Sequence, residues 1–328
     1  MYDVITFGSA SQDIFLKSKN FLKVRGSNFP TGEGICFSLG SKIEVDNVYL
    51  SSGGGGTNTA ATFANQGHKT AYCGMVGDDL AGKTITEELK KLKIGTEFIT
   101  KTKERPTNHS VFLNCDCCGD RTVLVYRGAS DVLKKEDIPW DKIKNTKWFY
   151  LAPFAGSVAQ MTESFVVFAK KNNIKVALNP GYNQLTLPKP ALEKILSKTD
   201  VLILNREEAS LLTKIPYQKE EEIFKKIDEM MPGIAIMTKG EDGVVVSDGK
   251  CLYKAGILKV KVADSTGAGD SFGSGFVAGM MQKNDIIFAI QLAMANSASC
   301  ISRWGAKSGL LKKGNRWKKI EVSKNLCN

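Results

Sequence analysis

Three short segments carry residue types whose spacing could do chemistry. In Asp264-Ser265-Thr266-Gly267-Ala268-Gly269-Asp270-Ser271, three small residues stand immediately before an acid. A strand-like run over 257–262 leads in, and a helix rich in small residues follows. Small residues at 267–269 leave backbone N–H groups bare at a helix start, an anion site by geometry and dipole together. A carboxylate beside such a site repels an anion, so Asp270 either caps the helix or is there to take a proton from an attacking hydroxyl.

The second segment is Ser51-Ser52-Gly53-Gly54-Gly55-Gly56-Thr57-Asn58. Consecutive glycines let backbone approach a ligand or adopt positive φ, and Asn58 offers a donor and an acceptor at the helix start. The bland alternative is a flexible loop capped by Asn58. A dinucleotide fingerprint is absent, because the first strand ends in Gly8-Ser9-Ala10-Ser11-Gln12-Asp13 rather than G-x-G-x-x-G. The third segment, Gly77-Asp78-Asp79-Leu80-Ala81-Gly82-Lys83-Thr84, fits a phosphate loop letter for letter. Its two acids would oppose phosphates, so it reads instead as a strand-to-helix turn whose carboxylates complement the helix N-terminus.

These segments need a frame to bring them together. Strand-like runs at 2–8, 70–76, 147–151, 174–178, 200–204 and 234–238 alternate with helical runs at 58–66, 80–92, 157–171, 189–198, 206–213, 218–230, 269–282 and 285–303. The alternation predicts an α/β fold, a doubly wound, mostly parallel sheet with helices on both faces. Residues 10–51 and 107–127 break the rhythm with period-2 segments, among them 42–50, 108–114 and 121–126. They predict a small inserted β-sheet lid on a core of 1–9, 52–106 and 128–305, with 306–328 as a basic C-terminal tail.

Composition narrows the function classes. With 42% apolar and 24% charged residues over 328 positions, the chain is neither disordered nor collagen-like, and its length suffices for a full core. No apolar run of about 18 residues occurs, and Asp3 stands where a signal peptide needs basic residues. A soluble, cytoplasmic protein with reduced thiols is expected. Cys115-Asp116-Cys117-Cys118 has no second ligand pair and reads as a hairpin tip rather than a metal site. Much of the +11 net charge lies in 306–328, where Lys307, Lys312, Lys313, Arg316, Lys318, Lys319 and Lys324 face one acid, Glu321. The run reads as a solvated terminus; a nucleic-acid-binding arm is the alternative.

Residues 53–77 and 264–277 closely resemble the two signature segments of the ribokinase-like (phosphofructokinase-B type) sugar and nucleoside kinases. The first match covers Gly53-Gly54, Gly56, Asn58, Ala60, Gly67 and Gly77; the second covers Asp264 and Gly267-Ala268-Gly269-Asp270. The resemblance spans the chain to about residue 305 and implies an ATP-dependent kinase acting on a primary hydroxyl of a pentose, hexose or keto-deoxy sugar acid. By similarity, Asp270 is the base and Gly267, Ala268 and Gly269 form the anion hole. Asp13, Gly54 and Asn58 would hold the substrate. Thr238, Gly240 and Gly243 would lie beside ATP, with Asn296 lining the adenine pocket. Asn205 and Glu208 match the element that orients Mg²⁺ through water; read alone, Asn205-Arg206-Glu207-Glu208 is an ordinary helix start. Asp264, Thr266 and Gly305 stand where some members build a K⁺ site.

Ser11 replaces the asparagine usual in ribokinases, which speaks against ribose as sole substrate. Arg105 and Arg127 flank the second lid segment and read either as anchors for an acidic substrate group or as surface charges. A nucleoside kinase of the same fold, with Phe15, Phe37 or Phe154 stacking on the base, is the runner-up. Retention of Asp270 argues against a sensor that binds sugar without turnover. The partner is a small-molecule sugar or nucleoside, with no membrane or nucleic acid expected, and a homodimer through the lid is a further expectation.

Overall fold

The computed structural model describes residues 1–29, 31–115 and 121–326. The strands are β1 (Tyr2–Phe7), β2 (Ser11–Ser18), β3 (Leu22–Arg25), β4 (Glu33–Cys36), β5 (Asn47–Gly53), β6 (Thr70–Gly77), β7 (Gly95–Thr102), β8 (Asn108–Cys115), β9 (Arg121–Tyr126), β10 (Thr146–Leu151), β11 (Lys175–Leu178), β12 (Val201–Asn205), β13 (Ile234–Thr238), β14 (Val244–Ser247), β15 (Cys251–Ala255) and β16 (Ser323–Leu326). The α-helices are α1 (Gly55–Asn65), α2 (Leu80–Lys91), α3 (Trp140–Ile143), α4 (Met161–Lys171), α5 (Tyr182–Leu185), α6 (Lys189–Leu196), α7 (Arg206–Thr213), α8 (Glu220–Met230), α9 (Ala268–Lys283) and α10 (Ile286–Ile301).

The central sheet runs β16-β15-β14-β13-β12-β11-β10-β1-β6-β7. It is parallel from β13 through β10 and β1 to β7, and antiparallel beyond β13. Its strands are buried on both faces, so side chains alternate between two cores. Along β10, Phe149 and Leu151 join Phe165 of α4 and Ile223 of α8, while Trp148 and Tyr150 join Phe63 of α1 and Phe276 of α9. The doubly wound architecture is the one the alternation predicts.

The smaller sheet, β5-β2-β8-β9, is built from the two segments that break that alternation. In register across it lie Asp13, Ser51 and Ser110, then Phe15, Tyr49 and Phe112, on one face. On the other face, Phe21 and Leu113 form a small cluster with Leu16, Ile35, Ile43 and Val111. The β3–β4 ribbon thus covers part of the lid's outer surface with its own chain. Cys117 and Cys118, at the expected hairpin tip, lie outside the described residues.

Three expectations need correction. Residues 257–262 form no strand; despite their alternating pattern they run as irregular chain with Ile257, Val260 and Val262 exposed. The C-terminal segment is not simply solvated. Ala306 and Leu310 are buried, Lys313 N–H donates to the Asn65 carbonyl at 2.7 Å, and β16 pairs antiparallel with β15. The charge run gave no hint of this, because the contacts are made by backbone, by Ala306 and Leu310, and by one lysine of seven basic residues, Lys307, which turns inward. The helical run 157–171 opens as a 3₁₀ turn over Gly156–Gln160 before α4.

The phosphate-loop lookalike is a cap. Asp79 is the N-cap of α2 and accepts from Gly82 N–H at 2.7 Å. The same carboxylate takes the N–H and hydroxyl of Thr107, both at 2.7 Å, tying the helix to the start of β8. Lys83 is exposed. These bonds hold the Asp79 carboxyl below its ordinary range despite partial burial. Asp79→Ala is therefore expected to lower unfolding stability by about 2 kcal/mol in a urea titration, with nucleotide affinity unchanged. Loss of nucleotide binding at unaltered stability would restore the phosphate-loop reading.

Candidate active site

The carboxyl ends of the parallel strands converge where two helices begin. Gly54 precedes α1 with φ 96°, and Gly267, in the left-handed region at φ 78°, is the N-cap of α9. A side chain at Gly267 would meet the Ala306 Cβ at 2.5 Å, so the turn admits none. The first N–H groups of α9 lack partners within the helix, although Ala268 N–H leans on the Ser265 carbonyl at 3.3 Å. Asp270 lies in this first turn, and its Oδ2 accepts from Asn58 Nδ2 of α1 at 2.8 Å. Burial pushes the Asp270 carboxyl above its ordinary range, opposed by that amide and by the Lys307 ammonium.

Asp13 is buried on β2, and its Oδ1 accepts from the Ser11 hydroxyl at 2.8 Å. A Cβ on Gly53 would sit 1.9 Å from Asp13 Oδ2, so the glycine makes room for the carboxylate. Burial raises this carboxyl too, against the pull of Ser11, Lys307 and Ser110. Asp13, Gly54, Asn58, Gly267, Ala268, Gly269 and Asp270 are thus gathered around the paired starts of α1 and α9. Among the described residues, Asn58 Oδ1 and Ser51 Oγ have no hydrogen-bond partner there, nor has the Tyr150 hydroxyl, which feels the Asp270 charge. Buried acceptors and hydroxyls left unpaired are costly in a finished core. Ser51 carried no sequence signal beyond its neighbourhood to the glycines.

A cavity of about 660 Å³ opens on the other side of the α9 turn. Thr238, Gly240 and Gly243 line it with Ala268 and Gly269, as do Ile257, Val260 and Val262 of the missing strand. Asn296 does not. It is fully buried, donating to Ser271 O at 2.8 Å and accepting from Leu311 N–H at 2.9 Å, and so fastens α10 to α9 and to the C-terminal segment. The face of α10 that does line the cavity carries Met294, Ser297, Ala298 and Ile301, spaced as one helical face, from which Asn296 is turned by about 200° relative to Met294.

Asn205 and Glu208 close the start of α7 as a reciprocal capping box: Glu208 N–H to Asn205 Oδ1 and Asn205 N–H to Glu208 Oε2, each 2.8 Å. Burial raises the Glu208 carboxyl, and among the described residues it is Oε2, not Oε1, that accepts a hydrogen bond. Asn205 pairs in register with Thr238, so the box lies beside the cavity. Among the described residues no cluster of three or more acids, histidines or cysteines is placed to hold a metal directly. The box fits an ion held through water.

Asp264 fits a bound K⁺ poorly. Its Oδ1 accepts the N–H and hydroxyl of Thr266 at 3.0 and 2.7 Å, its Oδ2 accepts Gly305 N–H at 3.0 Å, and Arg121 of β9 stands 3.7 Å away. Arg121 also donates to Ser265 Oγ. A guanidinium from the lid thus already balances this carboxylate. Arg105 pairs with Asp131 at 3.8 Å, and Arg127 lines a small cleft with Gly8, Ser9 and Phe154.

Comparison with known proteins agrees with this fold. The model of the pfkB family carbohydrate kinases matches residues 5–313. A ribokinase of Lactococcus lactis is 29% identical over 279 residues, covering 84% of this chain and 87% of the relative. A 5-dehydro-2-deoxygluconokinase of Bacillus anthracis is 29% identical over 266 residues, 76% and 80% of the two chains. The structure of Arabidopsis thaliana ribokinase complexed with ribose and ATP superposes with a TM-score of 0.76 at 21% identity over 95% of this chain and 96% of that one. A nucleoside kinase of Methanocaldococcus jannaschii gives 0.73 at 20% identity over 95% of each chain. The match across nearly the whole chain, on a doubly wound core that carries its lid, means that the chain belongs to the pfkB family of carbohydrate kinases, phosphotransferases with an alcohol group as acceptor.

Proposed function

We propose that the protein transfers the γ-phosphoryl group of ATP to a primary hydroxyl of a small sugar or sugar acid held between Asp13 and Asp270. The observation that carries this is the Asn58–Asp270 hydrogen bond at 2.8 Å beside two unpartnered polar atoms, Asn58 Oδ1 and Ser51 Oγ. Asn58 fixes one carboxylate oxygen and leaves the other, Oδ1, to accept a proton. The acceptor hydroxyl gives its proton to Asp270 as its oxygen attacks the γ-phosphorus, and ADP departs with the bridging oxygen. The N–H groups at the start of α9, from 267 to 270, stabilise the charge on the transferred group. Asp13 accepts hydrogen bonds from further hydroxyls, and Ser11 orients it. Mg²⁺ bound with ATP would neutralise the phosphates, with Asn205 and Glu208 holding its waters.

The adenosine moiety occupies the 660 Å³ cavity between Thr238–Gly243, the 257–262 segment and α10. A second reading, a nucleoside acceptor, is favoured by one feature: a cavity of about 590 Å³ lined by Phe15, Tyr49 and Trp304 on the lid's Asp13 side. Phe15 already stacks on Phe112 at 4.3 Å, Phe37 packs edge-on against Phe21 at 5.5 Å, and Phe154 is buried against Phe165. Phe15 and Phe154 are thus engaged with other rings, which supports the sugar, although Phe15 also borders the cavity and Phe37 is part exposed. An ADP-release screen over pentoses, hexoses, keto-deoxy sugar acids and nucleosides separates the two, and turnover confined to nucleosides would reverse the choice.

Asp270→Asn should lower kcat by about a thousandfold, within the range of a lost general base, while ATP affinity by calorimetry stays the same; near-native turnover would refute the mechanism. Because a base acts only when ionised and the Asp270 carboxyl is raised, kcat/KM should fall as pH drops through a value above the ordinary carboxylate pKa of about 3.9. Replacing K⁺ by choline should leave turnover unchanged, given the Arg121 guanidinium at Asp264. A requirement for K⁺ would show that the guanidinium does not serve as the cation.

A further inference from the structure

The turn between β13 and β14 walls the 660 Å³ cavity through Thr238, Gly240 and Gly243. Within the turn, Lys239 N–H donates to the Gly243 carbonyl at 2.8 Å, and the Asp242 and Gly243 N–H groups bend back on Lys239 and Gly240 at 3.1 and 3.2 Å. Gly240 and Gly243 both stand at positive φ, 58° and 86°, and a Cβ on Gly240 would meet nothing within 4 Å. Two glycines and an open outer side leave such a turn loosely determined by its own chain. Arg206, the first residue of α7, supplies the hold. Its Nη2 donates to the Lys239 carbonyl and, at 2.6 Å, to the Asp242 carboxylate. Its guanidinium lies over the Tyr217 ring, 5.7 Å from the centroid. The Lys239 ammonium is held in turn by Glu220 at 2.9 Å, which also takes Lys254 at 2.7 Å.

Cations beside a nucleotide cavity suggest a grip on phosphate, but here each already has a carboxylate partner, Asp242 for Arg206 and Glu220 for Lys239. The Asp242 side chain is 67% exposed, and an ion pair of that kind contributes little by itself. The bond to the Lys239 carbonyl is the one that fixes backbone. Arg206 also sits inside the Asn205–Glu208 capping box, directly after Asn205, which pairs in register with Thr238. One side chain therefore spans from the start of α7 to the turn that walls the cavity. We propose that Arg206 is a positioning residue for the nucleotide, fixing the 239–243 turn against the start of α7 so that the cavity is preformed when ATP arrives. It acts through the turn, and the gain is in binding, because a wall already in place need not be ordered by the ligand.

This role rests on the cavity being the adenosine site, which photolabelling with 8-azido-ATP tests separately: label within 238–262 or α10 supports that placement, and label confined elsewhere sinks it whatever Arg206 does. For Arg206, ATP affinity by calorimetry and kcat at saturating ATP are compared in the wild type, Arg206→Met, Arg206→Lys and Tyr217→Ala, with thermal unfolding as control. Arg206→Met should weaken ATP by about tenfold, the size of one lost hydrogen bond from a charged group, while kcat stays within about twofold. Arg206→Lys, whose ammonium can reach the same carbonyl, should recover most of the affinity. Unchanged ATP affinity in folded Arg206→Met overturns the proposal, since a merely structural arginine would alter the melting temperature alone. A large fall in kcat overturns it as well, because it would place the guanidinium on the transferred group. If Arg206→Met does not fold, Tyr217→Ala decides: a smaller loss confined to ATP affinity supports the role, and no loss refutes it.

Discussion

Two carboxylates, Asp13 and Asp270, are buried beside the starts of α1 and α9, and each is met by donors that offset the cost of its burial. Burial alone protonates acids. Asp270 is compensated by the amide of Asn58, 212 residues earlier in the chain, and Asp13 by hydroxyls on its own sheet. The contact between Asn58 and Asp270 exists because α1 and α9 pack against each other on one face of the sheet, with the start of α1 set against the carboxyl ends of β1 and β10. The parallel strands of the sheet point those ends to the same rim.

The lid and the core are joined by charge at a second point. Arg121 of β9 reaches Asp264 and Ser265 at the mouth of the anion-hole turn, while Thr266 and Gly305 donate to the same carboxylate. Asp264 therefore fixes the loop preceding Gly267 from the chain's own backbone and from the lid together. The two sheets are coupled through one acid at the turn that opens α9.

Much of this was legible in the residues. Period-2 and period-3.6 patterns located most of the parallel strands and the long helices, because burial on two faces of a sheet leaves a plain mark on composition. The glycine turn and Gly267–Asp270 were legible because backbone approach needs missing side chains. Other parts were silent for physical reasons. The run at 257–262 alternates like a strand, but its apolar side chains border a ligand cavity rather than a sheet partner. Asn296 stands in the correct helix yet on the wrong face, a difference of two positions. Lys307 could not be told from its neighbours, since a charge run does not reveal which member turns inward.

The path of the segment after α10 ties distant parts of the fold together. Lys307 reaches Ser52 beside the glycine turn, Leu311 engages Asn296, Lys313 closes on the end of α1, and β16 pairs with β15. One stretch of chain thus clasps α1, α10 and the edge of the large sheet, so that unfastening it would loosen all three at once.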